Sequence, residues 1–325
     1  MAPPPVHTSV ETTIHSSRGV VDQYANVDWD KLRYGVIPTD YMYVMKCSKE
    51  ENFFEGKLIP YGNIELSPSA GILNYGQGLF EGLKAYRTED GNIQLFRPEQ
   101  NALRMKMGAE RMCMPSPSVE QFIDTVKQTV IANKPFVPPP RKGALYVRPL
   151  LMGSGPLLGL APAPEFTFLI FASSVSDYHK GRPALDLFVE GKVHRANPRG
   201  TGAQSRAKAR GFSDVLFLDS VNGKYAEEAS ACNIFMVKNN VVSTPAIHGT
   251  ILPGITRKSI IDIALSFGYE VEERLIPFED LLEADEVFCT GTAVVVNSVG
   301  SVTYQDKRYI KIVKKILFSL SFHGS

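Results

Sequence analysis

No stretch of this sequence reaches the roughly 18 consecutive apolar residues that a membrane-crossing helix needs, so no segment is expected to span or enter a membrane. Charge bias is absent as well: 35 Lys and Arg stand against 34 Asp and Glu, a formal net charge of +1. Phosphate backbones are gripped by clustered basic faces, so there is no electrostatic case for nucleic acid. Cysteine is scarce. Cys47, Cys113, Cys232 and Cys289 lie far apart, form no CxxC pair and have no histidine at ligand spacing. That argues against a zinc site and for reduced thiols. The first 23 residues contain no lysine and one arginine, Arg18, beside the acids Glu11 and Asp22. Organelle transit peptides are Arg-rich and acid-poor, so this segment reads as a disordered leader on a cytoplasmic protein, with a chloroplast or mitochondrion as the alternative.

What is present is an ordinary globular composition, 44% apolar and 21% charged, over 325 residues, enough for two domains. Alternating or β-branched runs predict strands at 41–47, 92–97, 143–153, 164–175, 186–195, 214–220, 233–239, 271–276 and 286–296. A helix over 98–114 opens with Pro98 in its first turn and repeats Ala102, Met105, Ala109 and Met112 at helical spacing. A second, over 118–134, can be capped by Ser118 and sets Phe122, Val126, Val130 and Ile131 on one face. Shorter helices are expected at 203–210 and 258–269. The regular ten-residue helix after each strand that serial βαβ units require is missing, so the fold class is α+β in two halves. The boundaries are a leader over 1–23, a small N-terminal α/β domain over 24–175, a polar linker over 176–184 and a larger C-terminal domain over 185–325. From 309 the chain reads as a basic amphipathic helix, with Ile310, Val313, Leu317 and Leu320 opposite Lys311, Lys314 and Lys315, packing on its own domain, with a place on a membrane surface as the alternative.

Several groups carry chemistry. TILPGIT (250–256) places Gly254 so that the amides of Ile255 and Thr256 can point together at an anion where a helix begins, and TGTA (290–293) ends an apolar run in small residues and a hydroxyl. Either is equally an ordinary turn when taken alone. Arg104 on the first helix can add a charge-assisted contact to an anion or form a surface salt bridge. Glu227 and Glu228 are strand neighbours, so one must face inward and needs a cationic partner, which a protonated pyridine nitrogen would be. Tyr146 and Arg148 are two apart on a strand and share a face, a pattern suited to carboxylate recognition or to a structural ion pair.

Seven segments in order resemble one family: YGQGLFEGLKAYRTEDG, LFRPEQNALRM, ALYVRPLLMGSGPLLG, RGFSDVLFLDS, EEASACNIF, GTILPGITRKS and DEVFCTGTAVVV. They are similar to the branched-chain aminotransferases, fold-type IV enzymes using pyridoxal 5′-phosphate, and most of all to the plant members. The resemblance covers about Tyr24 to Lys307. It implies a two-domain architecture with the cofactor between the domains, a homodimer, and exchange of amino groups between leucine, isoleucine or valine and 2-oxoglutarate. Motif by motif, Arg104 resembles the phosphate-binding arginine, and Ile255, Thr256 and Thr292 the other phosphate donors. Glu228, not Glu227, matches the carboxylate on the pyridine nitrogen. Phe80, Tyr146 and Arg148 match substrate-pocket residues, the amides of Thr292 and Ala293 those receiving the substrate carboxylate, and Tyr75, Leu158 and Leu160 those reaching a partner's site. The redox CxxC of some animal members is absent, since Val294 and Asn297 stand there.

One segment departs from the pattern. In the family the glycine turn leads into GVK…NY, whose lysine forms a Schiff base with the cofactor and whose tyrosine bonds its phenolic oxygen. Here Gly202 is followed directly by Ala203, and that segment is not present. No catalytic lysine is therefore assigned, and transamination is expected to be impaired or absent while cofactor binding survives. Lys192 and Lys208, the lysines nearest the junction, are expected on the surface. The alternatives are a cofactor-binding or dimerising pseudoenzyme and another fold-type IV activity.

Overall fold

The computed structural model describes residues 12–14, 24–176, 184–191, 193, 195, 200–219, 221–248 and 250–310. Most of the 1–23 leader, residues 177–183 of the proposed linker, Lys192 and the tail from 311 lie outside the described residues. The chain divides into two compact units, one over residues 8–177 and one holding the described residues after it.

The first unit is built on an eight-stranded sheet. At its centre Gly143–Gly153 and Glu165–Ser176 pair antiparallel over their whole length, from Gly143 opposite Ser176 to Gly153 opposite Phe166. Because side chains alternate along a strand, Leu145, Val147 and Leu151 join Phe166, Phe168, Ile170 and Ala172 in one core cluster. Tyr146 and Arg148 belong to the other face. Two helices add to that core: Pro98–Arg111 with Ala102, Met105 and Ala109, and Val119–Ala132 with Phe122, Val126 and Val130. Ser118 caps the second helix as expected, its hydroxyl accepting from the Gln121 amide while Gln121 Oε1 accepts from the Ser118 amide. Ile131, placed on the buried face by the sequence pattern, is 53% exposed; Thr129 is buried in its stead, its hydroxyl bonded to the Thr125 carbonyl. Within the segment read as a disordered leader, Thr12–Ile14 form a strand on the sheet edge, pairing with Ile93–Leu95.

The second unit is a ten-stranded mixed sheet. Asn233–Lys238, Glu286–Gly291 and Val295–Tyr304 run antiparallel side by side. The run expected as one strand over 286–296 is two, separated by a turn after Gly291. Two parallel pairs are each bridged by a helix: Leu185–Glu190 and Asp214–Leu218 by Gly200–Ala209, Val241–Pro245 and Glu270–Arg274 by Ile255–Ser266. The strand predicted over 186–195 thus stops at Glu190, and the glycine turn before Ala203 is already helical at Gly200. Lys307–Ile310 is an edge strand on Val295–Tyr304, so the helix expected from 309 does not begin there. No helix among the described residues is long and apolar enough to cross a membrane.

Phe168 lies at the heart of the first core, fully buried, with ring centroids 6.2 Å from Phe53 and 6.0 Å from Phe122. Phe168→Ala is expected to lower unfolding stability by about 3–5 kcal/mol, measured by urea denaturation; a loss below about 1 kcal/mol would mean that the core does not depend on this ring.

Candidate active site

The inward member of the glutamate pair is Glu228. It sits on Tyr225–Ala229, where Ala226 and Glu228 are buried while Tyr225 and Glu227 are half-exposed. Only 2% of the Glu228 residue is exposed. Its carboxylate accepts from the Leu252 amide at 3.2 Å and from Asn233 Nδ2 at 3.4 Å, and Arg195 Nη1 lies 2.9 Å from Oε1. Burial, opposed by the Arg195 guanidinium and the Leu252 amide and aided by the Glu227 charge, leaves this carboxyl raised to about 7. Glu227 turns aside, accepting from the Thr250 hydroxyl at 2.8 Å.

Asn233 joins this carboxylate to the start of the helix Ile255–Ser266. It pairs with Glu228 across the strands, and its Nδ2 also donates to the Leu252 carbonyl at 2.9 Å. A Cβ on Gly254 would collide with Asn233 Oδ1, so only glycine fits there. Gly254 is the N-cap of a 12-residue helix that has no side-chain cap and no acid in its first turn. The amides of Ile255 and Thr256 head that helix. Arg257 in the same turn points away, donating to the Pro245 carbonyl at 2.8 Å and to Glu273 at 2.6 Å. On the other side, Asn233 stands opposite Thr290, whose fully buried hydroxyl has no hydrogen-bond partner. Thr292 and Ala293 form the turn just beyond, where Gly291 approaches the Ala231 carbonyl closely. Around Asn233 the structure thus brings together Glu228, the Leu252 carbonyl, Gly254 at the helix start and Thr290; Ile255 and Thr256 follow Gly254 directly, and Thr292 and Ala293 follow Thr290 after Gly291.

The first unit holds the remaining candidates in three groups. Arg104 Nε and Nη2 fork onto the two oxygens of Glu81 at 2.7 and 2.6 Å, and Asn101 Nδ2 adds a third bond to Glu81 at 2.8 Å. Glu81 is 3% exposed, so this is a buried two-point pair and not a surface salt bridge. Arg148 donates from Nη2 to the Tyr146 hydroxyl at 2.8 Å, and its guanidinium lies 4.4 Å from the Phe80 ring centroid and 5.1 Å from that of Tyr146. Its Nε is buried without a partner. Tyr75 belongs elsewhere: its hydroxyl accepts from the Gly159 amide at 2.7 Å, tying down a loop on which Leu158 and Leu160 are 90% and 95% exposed.

At the junction, Gly202 and Ala203 lie inside the helix Gly200–Ala209, and Ala203 and Ala207 pack on Val215 and Phe217. Lys208 is exposed. Three partners of the candidate residues were not singled out in the sequence. Glu81 heads the EGLKAYR segment, Asn233 follows EEASAC, and Arg195 precedes the glycine turn. A signal existed only for Glu81, as the acid nearest a motif that needs its arginine held. Among the described residues no cluster of His, Cys, Asp and Glu could hold a metal ion.

Comparison with known proteins places these segments. The model of the amino-transferase class IV family matches residues 78–302. The chain is 61% identical over 310 residues to branched-chain-amino-acid aminotransferase 5, chloroplastic, of Arabidopsis thaliana, covering 91% of this chain and 75% of that one. It is 64% identical over 300 residues to branched-chain amino acid aminotransferase 2, chloroplastic, of Humulus lupulus, covering 88% and 74%. With the mitochondrial enzyme 1 of Humulus lupulus it shares 61% over 298 residues, 87% of this chain and 76% of that one. Among solved structures, the branched-chain aminotransferase of Thermoproteus uzoniensis with norvaline superposes with a TM-score of 0.72 at 26% identity, over 87% of this chain and 93% of that one. A branched-chain aminotransferase from T.th. with pyridoxamine 5′-phosphate gives 0.73 at 26%, over 88% and 92%. The cytoplasmic assignment read from the leader is corrected by these relatives, which are chloroplastic or mitochondrial. One arginine and two acids in a short segment carried too little signal to decide a compartment. On the family match and on these identities, the chain belongs to the class IV amino-transferases.

Proposed function

We propose that this chain carries the site of a branched-chain aminotransferase, binding pyridoxal 5′-phosphate, and that it turns over poorly because the lysine segment between Gly202 and Ala203 is absent. The observation that carries the cofactor reading is the coupling of a buried carboxylate to an uncapped helix start through Asn233. A ligand with a basic ring nitrogen at one end and a phosphate at the other answers both. When bound, the cofactor supplies an electron sink for exchange of an amino group between leucine, isoleucine or valine and 2-oxoglutarate. Glu228 would hold a proton on the ring nitrogen. In the second unit the amides of Ile255 and Thr256 and the Thr292 hydroxyl would bind a phosphate; in the first, Arg104 is the residue suited to a phosphate. Its forked bond to Glu81 fixes the guanidinium in one orientation.

For the substrate, Arg148 is bonded to the Tyr146 hydroxyl and lies over the Phe80 ring, so its charge is oriented before any carboxylate arrives. In the first unit Phe80 and Tyr146 would give a substrate pocket its apolar wall and Tyr75 would reach a partner's site; in the second, the amides of Thr292 and Ala293 would receive a substrate carboxylate. What this chain does not offer at the junction is an amine. A positioned acid–base group is worth about 10²–10⁴-fold, so a loss of that order is expected relative to a version with the GVK…NY segment restored. Purified protein mixed with pyridoxal phosphate and reduced with borohydride should give no modified lysine on peptide mapping. A stoichiometric adduct on Lys208 would contradict the proposal.

A second reading, a dimerising chain without turnover, is favoured by the Tyr75–Gly159 tether, which presents Leu158 and Leu160 to solvent. Homodimers with these leucines at the contact are expected under native mass spectrometry. Replacing both leucines with glutamate should yield monomers, and a wild-type monomer at micromolar concentration would sink the dimer.

A further inference from the structure

The segments on either side of the Gly202–Ala203 junction converge on one residue, Ser230, two positions beyond Glu228. From the upstream side, Arg195 donates from Nε to the Ser230 carbonyl at 3.0 Å while its Nη1 reaches Glu228 at 2.9 Å. From the downstream side, Gln204 donates from Nε2 to the Ser230 hydroxyl at 2.7 Å and to Asp214 Oδ1 at 3.2 Å. The Ser230 hydroxyl in turn donates to Asp214 Oδ1, and that same oxygen accepts from the Val215 amide at 2.8 Å. A planar guanidinium bonded at two of its edges cannot rotate away from either partner without breaking the other.

From this geometry we propose that Arg195 is a positioning residue for Glu228, clamped by Ser230 and, through Gln204 and Asp214, by the helix across the shortened junction. Its task is to keep the buried carboxylate ionised and fixed in orientation. The role attached to Glu228 rests on the cofactor reading above; the clamp itself does not. Without a cation, a carboxylate buried to this degree favours its protonated form, which cannot hold a second proton on a ring nitrogen. The charged and titratable groups acting on it or sharing its surroundings are Arg195, Glu227, Cys232 and Asp214. The Cys232 thiol, pushed up to about 12 by burial, stays neutral through the neutral pH range. Of these, Arg195 alone favours the charged carboxylate.

The test is the titration of Glu228 in the cofactor-free protein, followed by the side-chain carbon resonance of ¹³C-labelled glutamate and assigned with Glu228→Gln. Arg195→Met is expected to raise the Glu228 midpoint by at least about one pH unit, Arg195→Lys to restore much of it, and Gln204→Leu to raise it by less. A general structural loss would not produce that graded order. An unchanged midpoint in folded Arg195→Met would overturn the proposal, as would a Gln204→Leu shift as large as that of Arg195→Met. If Arg195→Met fails to fold, the Gln204→Leu arm decides: an unmoved midpoint overturns the clamp, and an upward move supports it. Pyridoxal phosphate binding, measured separately by fluorescence quenching, tells the two readings apart. Absence of binding in the wild type defeats the cofactor reading and leaves the titration result standing.

Discussion

A carboxylate almost wholly removed from water is the constraint around which the second unit is arranged. An isolated buried charge costs several kcal/mol, and Glu228 offsets part of that cost by recruiting donors from three points of the chain: the Leu252 amide, the Asn233 side chain and Arg195. Each of these bonds fixes something else. The Leu252 bond sets where the 250–254 turn enters the helix Ile255–Ser266. Asn233 binds the same turn through the Leu252 carbonyl and fills the space that a side chain at residue 254 would need. The carboxylate and the helix start are therefore positioned as one piece, and a change at either is felt at the other.

The arginines of the first unit illustrate the opposite strategy, in which the cation is held ready. Arg104 is gripped at two points by Glu81, itself braced by Asn101. Arg148 is restrained by a hydroxyl and by the faces of two rings. Guanidinium groups restrained in this way lose little further rotamer freedom when they meet an anion. Arg148 also keeps a buried Nε unbonded, which concentrates its hydrogen-bonding demand on whatever approaches its plane.

Much of this was legible in the sequence wherever a single local rule decides. Strand alternation separates Glu228 from Glu227 and puts Tyr146 and Arg148 on one face. The Ser118 cap follows from its spacing to Gln121. Legibility failed where the deciding neighbour is remote or the conformation unusual. Ile131 lies about 100° around the helix from Val130, enough to carry it off the buried stripe and leave that place to Thr129 with its internally bonded hydroxyl. The turn after Gly291 is hidden in an apolar run because Val295, a β-branched residue, takes a positive φ of 53° that no propensity anticipates. Arg195 had no local signature: its role depends on Glu228 and Ser230, far along the chain. The short edge strand Thr12–Ile14 is ordered by the Ile93–Leu95 strand it pairs with and not by its own composition.

The helix that runs through Gly202 and Ala203 is held by contacts of its own. Ala203 and Ala207 are four apart, and their small side chains let the helix settle on Val215 and Phe217 wherever the connection begins. Gln204, one position further round, is then aligned with Asp214 and Ser230. Those contacts specify the helix from within, beside the parallel pairing of Leu185–Glu190 with Asp214–Leu218. Loop closure depends weakly on length, and a connector contributes little to the core. Connectors are nevertheless where reactive groups are commonly carried, because their backbone is free to present them. On the function proposed above, a shortened crossover would leave sheet, helix and buried carboxylate in place while taking with it the group that the rest of the site is arranged to serve.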